Sequence, residues 1–159
     1  MLLPLIAVAC YLFGALGLGL SAYRADAHHG RGRRIAAFAI ASIGILIHAA
    51  ALVDERRLDP YAVLSLGDTL ALVALVIAIT AVVMAVQPRR RGMAALLLGI
   101  AAVLEAAFSE GAREFSVGRP GWELAFHVAM ATTAFAFLPI GAALAMAQVV
   151  VDQRLRSRK

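Results

Sequence analysis

The chain has 159 residues, 62% of them hydrophobic, a mean hydropathy of +0.85 and a net charge of +5. Soluble domains keep their apolar share nearer half, so this composition excludes an ordinary water-soluble fold. The basic residues cluster between apolar runs and not along a helical face mixed with aromatics, which argues against nucleic-acid binding and reads as a membrane topology signal.

The pattern predicts an all-α, polytopic integral membrane bundle in one domain, with five spans over residues 2–23, 35–53, 61–86, 93–108 and 121–151. No basic residue precedes the first apolar run, which is therefore expected to be a retained span and not a signal peptide. Its Gly14, Gly17 and Gly19 suit close approach of a neighbouring helix. Cys10 is the single cysteine, so a disulfide framework is excluded. The loop that follows holds His28 and His29, but Arg24, Arg31, Arg33 and Arg34 make it a poor cation site. His48 lies about five residues before the polar end of the second span, roughly 8 Å deep at helical rise. Pro60 opens the third span, which carries Asp68; Gln87 and Pro88 close it ahead of Arg89, Arg90 and Arg91. The fourth span holds Glu105 near its far end. A polar loop from Ser109 to Gly121 leads to Trp122 and the fifth span, which contains His127 and Pro139.

Eleven of the fifteen basic residues fall in the loops after the first and third spans and in the carboxyl-terminal tail. By the bias of arginine and lysine toward the inner side, the amino terminus is expected outside and the carboxyl terminus inside. His48, Asp68, Glu105 and His127 then lie at similar depth near the outer surface, on four different helices. A charge at mid-bilayer costs on the order of 3 kcal/mol on insertion scales, so these side chains are expected to face one another or a wet cavity. Trp122 stands at the same level, as an interfacial belt residue or as a wall of that pocket.

The chain has no Walker or dinucleotide-binding glycine loop, no HExxH and no CxxC, so nucleotide hydrolysis, zinc proteolysis and thiol redox chemistry lack their groups. A turnover enzyme is not expected. An ion- or proton-coupled carrier using Asp68, Glu105 and the two histidines as a relay stays open, as does a non-catalytic assembly scaffold.

HAAAL at the end of the second span, LSLGDTLALV in the third, and WELAFHVAMATTAFAF running to AMAQVVVDQRL resemble the cytochrome c assembly protein family. The likeness is to the amino-terminal half of its HemX-like and YpjD-like inner-membrane branch, related to CcsA and CcmC. It covers essentially the whole chain and is sharpest at His127 with Phe135 and Ala136 eight residues on. The resemblance implies haem held near the outer face with His127 as an axial iron ligand, and a place in the bacterial inner membrane. It also implies apocytochrome c or other assembly proteins as partners, besides the lipid bilayer. Single ligation by His127, ligation by His127 with His48 as the second ligand, and no haem in this chain are the alternatives. Family members continue into further spans, so the chain reads as a half-length member or the first half of a longer architecture. It lacks the tryptophan-rich segment of the CcsA and CcmC branches, since Trp122 is the only tryptophan, and Phe135 stands where relatives often carry tyrosine.

Overall fold

The computed structural model describes residues 2–23, 30–58, 66–108 and 122–156. They form α1 (Leu2–Tyr23), α2 (Gly30–Leu58), α3 (Leu66–Ala85), a short 3₁₀ turn (Pro88–Arg90), α4 (Arg91–Phe108) and α5 (Trp122–Arg156). The described residues are helical apart from the α3–α4 turn. His28, His29 and the 109–121 loop lie outside them.

Long apolar runs become helices because, away from water, a helix satisfies each backbone N–H and C=O within its own segment. Among the described residues, three stretches are long and apolar enough to cross a membrane: Leu2–Ala22, Arg31–Asp54 and Gly67–Ala85. The expected fourth span is an 18-residue helix bearing Arg91 and Glu105, and the fifth has its apolar portion at Ala134–Met146. Both are helices, each more polar or shorter in its apolar run than the first three. The third span had been expected from residue 61; α3 is described from Leu66.

The α3–α4 reversal follows from Pro88, which has no N–H to continue a helix. Gln87 turns to an extended conformation (φ −83°, ψ 121°). Its amide donates to the Met84 carbonyl at 3.1 Å, and the Arg90 amide donates to the Gln87 carbonyl at 3.0 Å. The chain thus re-enters a helix within four residues.

Packing closes α1 to α4 into a ring: α1 lies between α2 and α4, and α3 lies between α4 and α2, with α5 docked on α3 and α4. Contacts at Tyr11 with His48, Gly14 with Ala41 and Gly17 with Ala37 descend in opposite senses, so α1 and α2 are antiparallel. Gly19 with Ala95 and Gly92 with Ala22 show the same for α1 and α4. This is an up-down-up-down four-helix arrangement. Its interior is alanine-rich, with Leu18, Ile77, Leu97 and Leu98 as the bulky fillers.

Two glycines set the α1–α2 spacing. A Cβ on Gly14 would lie 2.9 Å from the Ala41 Cβ, and one on Gly17 would lie 2.6 Å from the Ala37 Cβ. Neither alanine carbon can rotate away, since each is fixed to its own helix. At Gly19 the nearest atom would be 3.7 Å off, an ordinary contact with α4.

Every one of the five helices also exposes large apolar side chains, such as Phe13, Leu46, Val83, Val103 and Phe137. Such a surface would aggregate in water, whereas lipid tails are as apolar as these side chains themselves.

Gly17→Ala is expected to destabilise the bundle by about 1–3 kcal/mol through overpacking, despite the helix propensity gained. Gly19→Ala should leave stability within about 0.5 kcal/mol or raise it. Thermal unfolding of the two variants in detergent, followed by circular dichroism, checks the contrast; equal behaviour would show that the seam is not close-packed.

Candidate functional site

Tyr11 on α1, His48 on α2 and Glu105 on α4 meet inside the ring, all fully or almost fully removed from the surface. The Tyr11 hydroxyl lies 3.0 Å from His48 Nδ1. On the other side of the ring, His48 Nε2 lies 3.0 Å from Glu105 Oε2. That second contact is close but off the direction of an N–H bond, so neither atom has a well-aligned hydrogen-bond partner.

Local sequence explains why the three arrive together. Gly44, one turn before His48, leaves space for the phenol: a Cβ there would sit 3.1 Å from Tyr11 Cδ1 and Cε1 and 2.8 Å from the Cys10 Cβ. The Tyr11 and His48 rings are tilted by 52° with centroids 5.9 Å apart, edge contact that leaves the hydroxyl free to reach Nδ1. Tyr11 is about 13 Å along α1 at helical rise, His48 about 9 Å from the end of its apolar stretch, and Glu105 about one turn before α4 ends. All three therefore sit in the half of the bundle away from the arginines at the start of α2 and in the α3–α4 turn.

An isolated ion in such a place is costly, and a buried pair is tolerated when it is jointly neutral and hydrogen-bonded. Two placements of one proton satisfy this for His48 and Glu105: imidazolium with carboxylate, or neutral ring with protonated carboxyl. They differ only in the seat of one proton. The arrangement can tie three helices at one level and can pass a proton across the imidazole. Tyr11 and Glu105 stand against the two ring nitrogens, so His48 presents neither of them to the outside of the bundle. Among the described residues there is no group of three or more histidine, cysteine or acidic side chains able to hold a metal ion.

Of the five residues expected to share a pocket, the structure brings His48 and Glu105 into direct contact. Asp68 is half-buried in the first turn of α3, where a carboxylate also complements the helix dipole. His127 is exposed on α5, about two and a half turns from the buried Ala136 and hence on the face opposite the bundle. Phe126 and Met130 beside it are exposed too. Trp122 begins α5, and its side chain is outside the described residues. The fold also supplies Tyr11, which sequence reasoning missed. Its signal was a hydroxyl-bearing ring in the middle of an apolar run, one turn from Gly14, on the glycine face that packs against α2.

Compared with protein-family models, with curated proteins and with solved structures, the chain matches none. The resemblance to cytochrome c assembly proteins rests on the sequence stretches quoted above.

Tyr11→Phe should cost about 1–3 kcal/mol, because it leaves a buried imidazole nitrogen without its partner. Gly44→Ala should lower stability by a similar amount by displacing the phenol, and combining the two should cost less than their sum. Additive losses in equilibrium unfolding would separate Gly44 from the Tyr11–His48 contact.

Proposed function

We propose that this chain is an integral membrane protein, amino terminus outside, that handles haem near the outer surface through His127. The observation that carries this reading is the exposed imidazole of His127, set among exposed apolar side chains and on the face of α5 turned away from the bundle. The membrane part rests on three helices of sufficient length and hydropathy and on apolar side chains exposed around the bundle. Orientation rests on the majority of the basic residues, eleven of fifteen, falling in the loops after the first and third spans and in the carboxyl-terminal tail. The resemblance adds haem and a role in cytochrome c assembly in the bacterial inner membrane, with apocytochrome c or a sister assembly protein as recipient.

The described residues fit one axial ligand with an apolar flank, and they do not enclose a porphyrin. Haem, when bound, would supply an iron centre that accepts a neutral imidazole nitrogen. His127 can present that nitrogen without rearrangement, and Phe126 and Met130 can exclude water from one side. His48 is closed off by Tyr11 and Glu105, so bis-histidine ligation within one chain would require that contact to break. Open ligation of this kind suits temporary holding and transfer better than permanent storage, and no turnover chemistry is assigned.

A second reading, a proton-coupled carrier component, is favoured by the buried Tyr11, His48 and Glu105 array. The two separate by experiment. Purified chain incubated with haem is expected to show a Soret band that His127→Ala loses and His48→Ala keeps. A band that survives His127→Ala, or failure of the chain to take up haem, would overturn the haem reading. Proton flux in vesicles that persists in His127→Ala and stops in Glu105→Gln would establish the carrier instead.

A further inference from the structure

Counting Tyr11 together with His48 and Glu105 sets charge against hydrogen bonding. The array has two internal contacts, the Tyr11 hydroxyl to His48 Nδ1 and His48 Nε2 to Glu105 Oε2, both at 3.0 Å. Each holds one hydrogen between its heavy atoms. With a neutral imidazole and an ionised carboxylate the array carries two such hydrogens, one phenolic and one on the ring, and both contacts are filled. That state buries a single negative charge in an alanine-rich core. One more proton cancels the charge, whether it sits on the ring or on the carboxyl, but the array then carries three hydrogens for two contacts. A buried charge and an unanswered buried donor are each costly, and neither proton count avoids both.

Access to the array is one-sided. Tyr11 and His48 are wholly buried, and Glu105 keeps 4% of its surface. It lies three residues before the end of α4 and is followed by exposed Ala106 and Ala107. Its contact with His48 is also the misaligned one of the two. In the other direction the way is apolar. Leu18, Ala41 and Leu98 stand seven residues from Tyr11, His48 and Glu105 on the same helices, about 10 Å further in at helical rise, and all three are buried. Between the two levels lie Gly14, Gly44 and Ala101, buried as well. None of these six side chains can accept or donate a proton. Beyond the array, no polar or charged side chain is buried among the described residues.

We propose that Tyr11, His48 and Glu105 form a proton-exchange site, which takes up and returns one proton through Glu105 at the outer surface and does not pass it across the bundle. This inference rests on the membrane reading and orientation above and is independent of haem. Uptake turns the array from singly negative to neutral, with the proton drawn from water and no change of oxidation state. The other titratable side chains described on the helices around this end are Cys10 beside Tyr11, Asp54 at the close of the apolar stretch of α2, Asp68 in the first turn of α3 and His127 on the far face of α5. Two of these are carboxyls, so the signal of Glu105 is assigned by substitution.

The test uses the full chain in lipid vesicles with its amino terminus outward, and infrared difference spectra taken as the pH falls from about 9 to about 4, a span that brackets ordinary imidazole and carboxyl titration. A protonated-carboxyl band is expected to appear when the external pH falls, to be lost in Glu105→Gln and to return at a shifted frequency in Glu105→Asp. Lowering the internal pH alone should leave it unchanged, and a pH-sensitive dye inside the vesicles should report no proton flux above that of empty vesicles. Circular dichroism melts confirm that each variant is folded; should Glu105→Gln fail to fold, the response of the unaltered chain to external and internal pH still decides. A band that is absent, ignores external pH or survives Glu105→Gln overturns the proposal. So does a response to internal pH, or a flux that Glu105→Gln stops, which would make the array a conduit. A chain that enters the vesicles without showing the band sinks this site alone; one that stays out of them sinks the membrane reading with it.

Discussion

The bundle is organised by the burial of one imidazole. His48 has no surface, two polar ring nitrogens and apolar surroundings, so both nitrogens must be met from within the protein. Meeting them takes a phenol from α1 and a carboxyl from α4 at the same height, which fixes three helices in register. Packing supports this arrangement: Gly14, Gly17 and Gly44 let α1 and α2 approach closely enough for a 3.0 Å contact between Tyr11 and His48. Without those glycines the polar contact would lie beyond reach. Without the polar contact, an alanine-rich interface would have little to distinguish one helical register from the next.

The two histidines of the described helices have opposite surroundings. His48 is enclosed between Tyr11 and Glu105, whereas His127 is exposed on the face of α5 turned away from the bundle. Residue type and depth were nearly the same for both. What separates them is the helix each belongs to: α2 is a member of the four-helix ring, while α5 is docked on its outside against α3 and α4.

Helix existence was legible because hydropathy marks it directly, and Pro88 ends α3 where its missing N–H requires; the hydropathy did not show how far α2 (Gly30–Leu58) and α5 (to Arg156) continue past their apolar stretches. The nearness of His48 and Glu105 was legible as equal depth, since a membrane restricts where charged side chains can be placed. Neighbourhood around the ring was not. Depth is one coordinate, and it does not say that α1 separates α2 from α4 or that α5 stands outside. Tyr11 escaped notice for a related reason: tyrosine in an apolar span is unremarkable until the face it occupies is known. The glycines carried that information, for Gly14 and Gly17 share a seam with Tyr11, but Gly19, equal to them in sequence, faces α4 at ordinary distance.

The closing of the ring by α1 against α4 has a consequence for biogenesis. The first helix made must wait until the fourth has been synthesised before its contacts are complete. During that interval His48 has only the Tyr11 hydroxyl, a neutral partner it acquires as soon as the first helical hairpin forms. Glu105, the more expensive group to bring out of water, arrives last and meets an imidazole already in place. Chain order thus never requires the carboxyl to enter before its receiver, and α4, which carries both Arg91 and Glu105, has a preassembled surface to join.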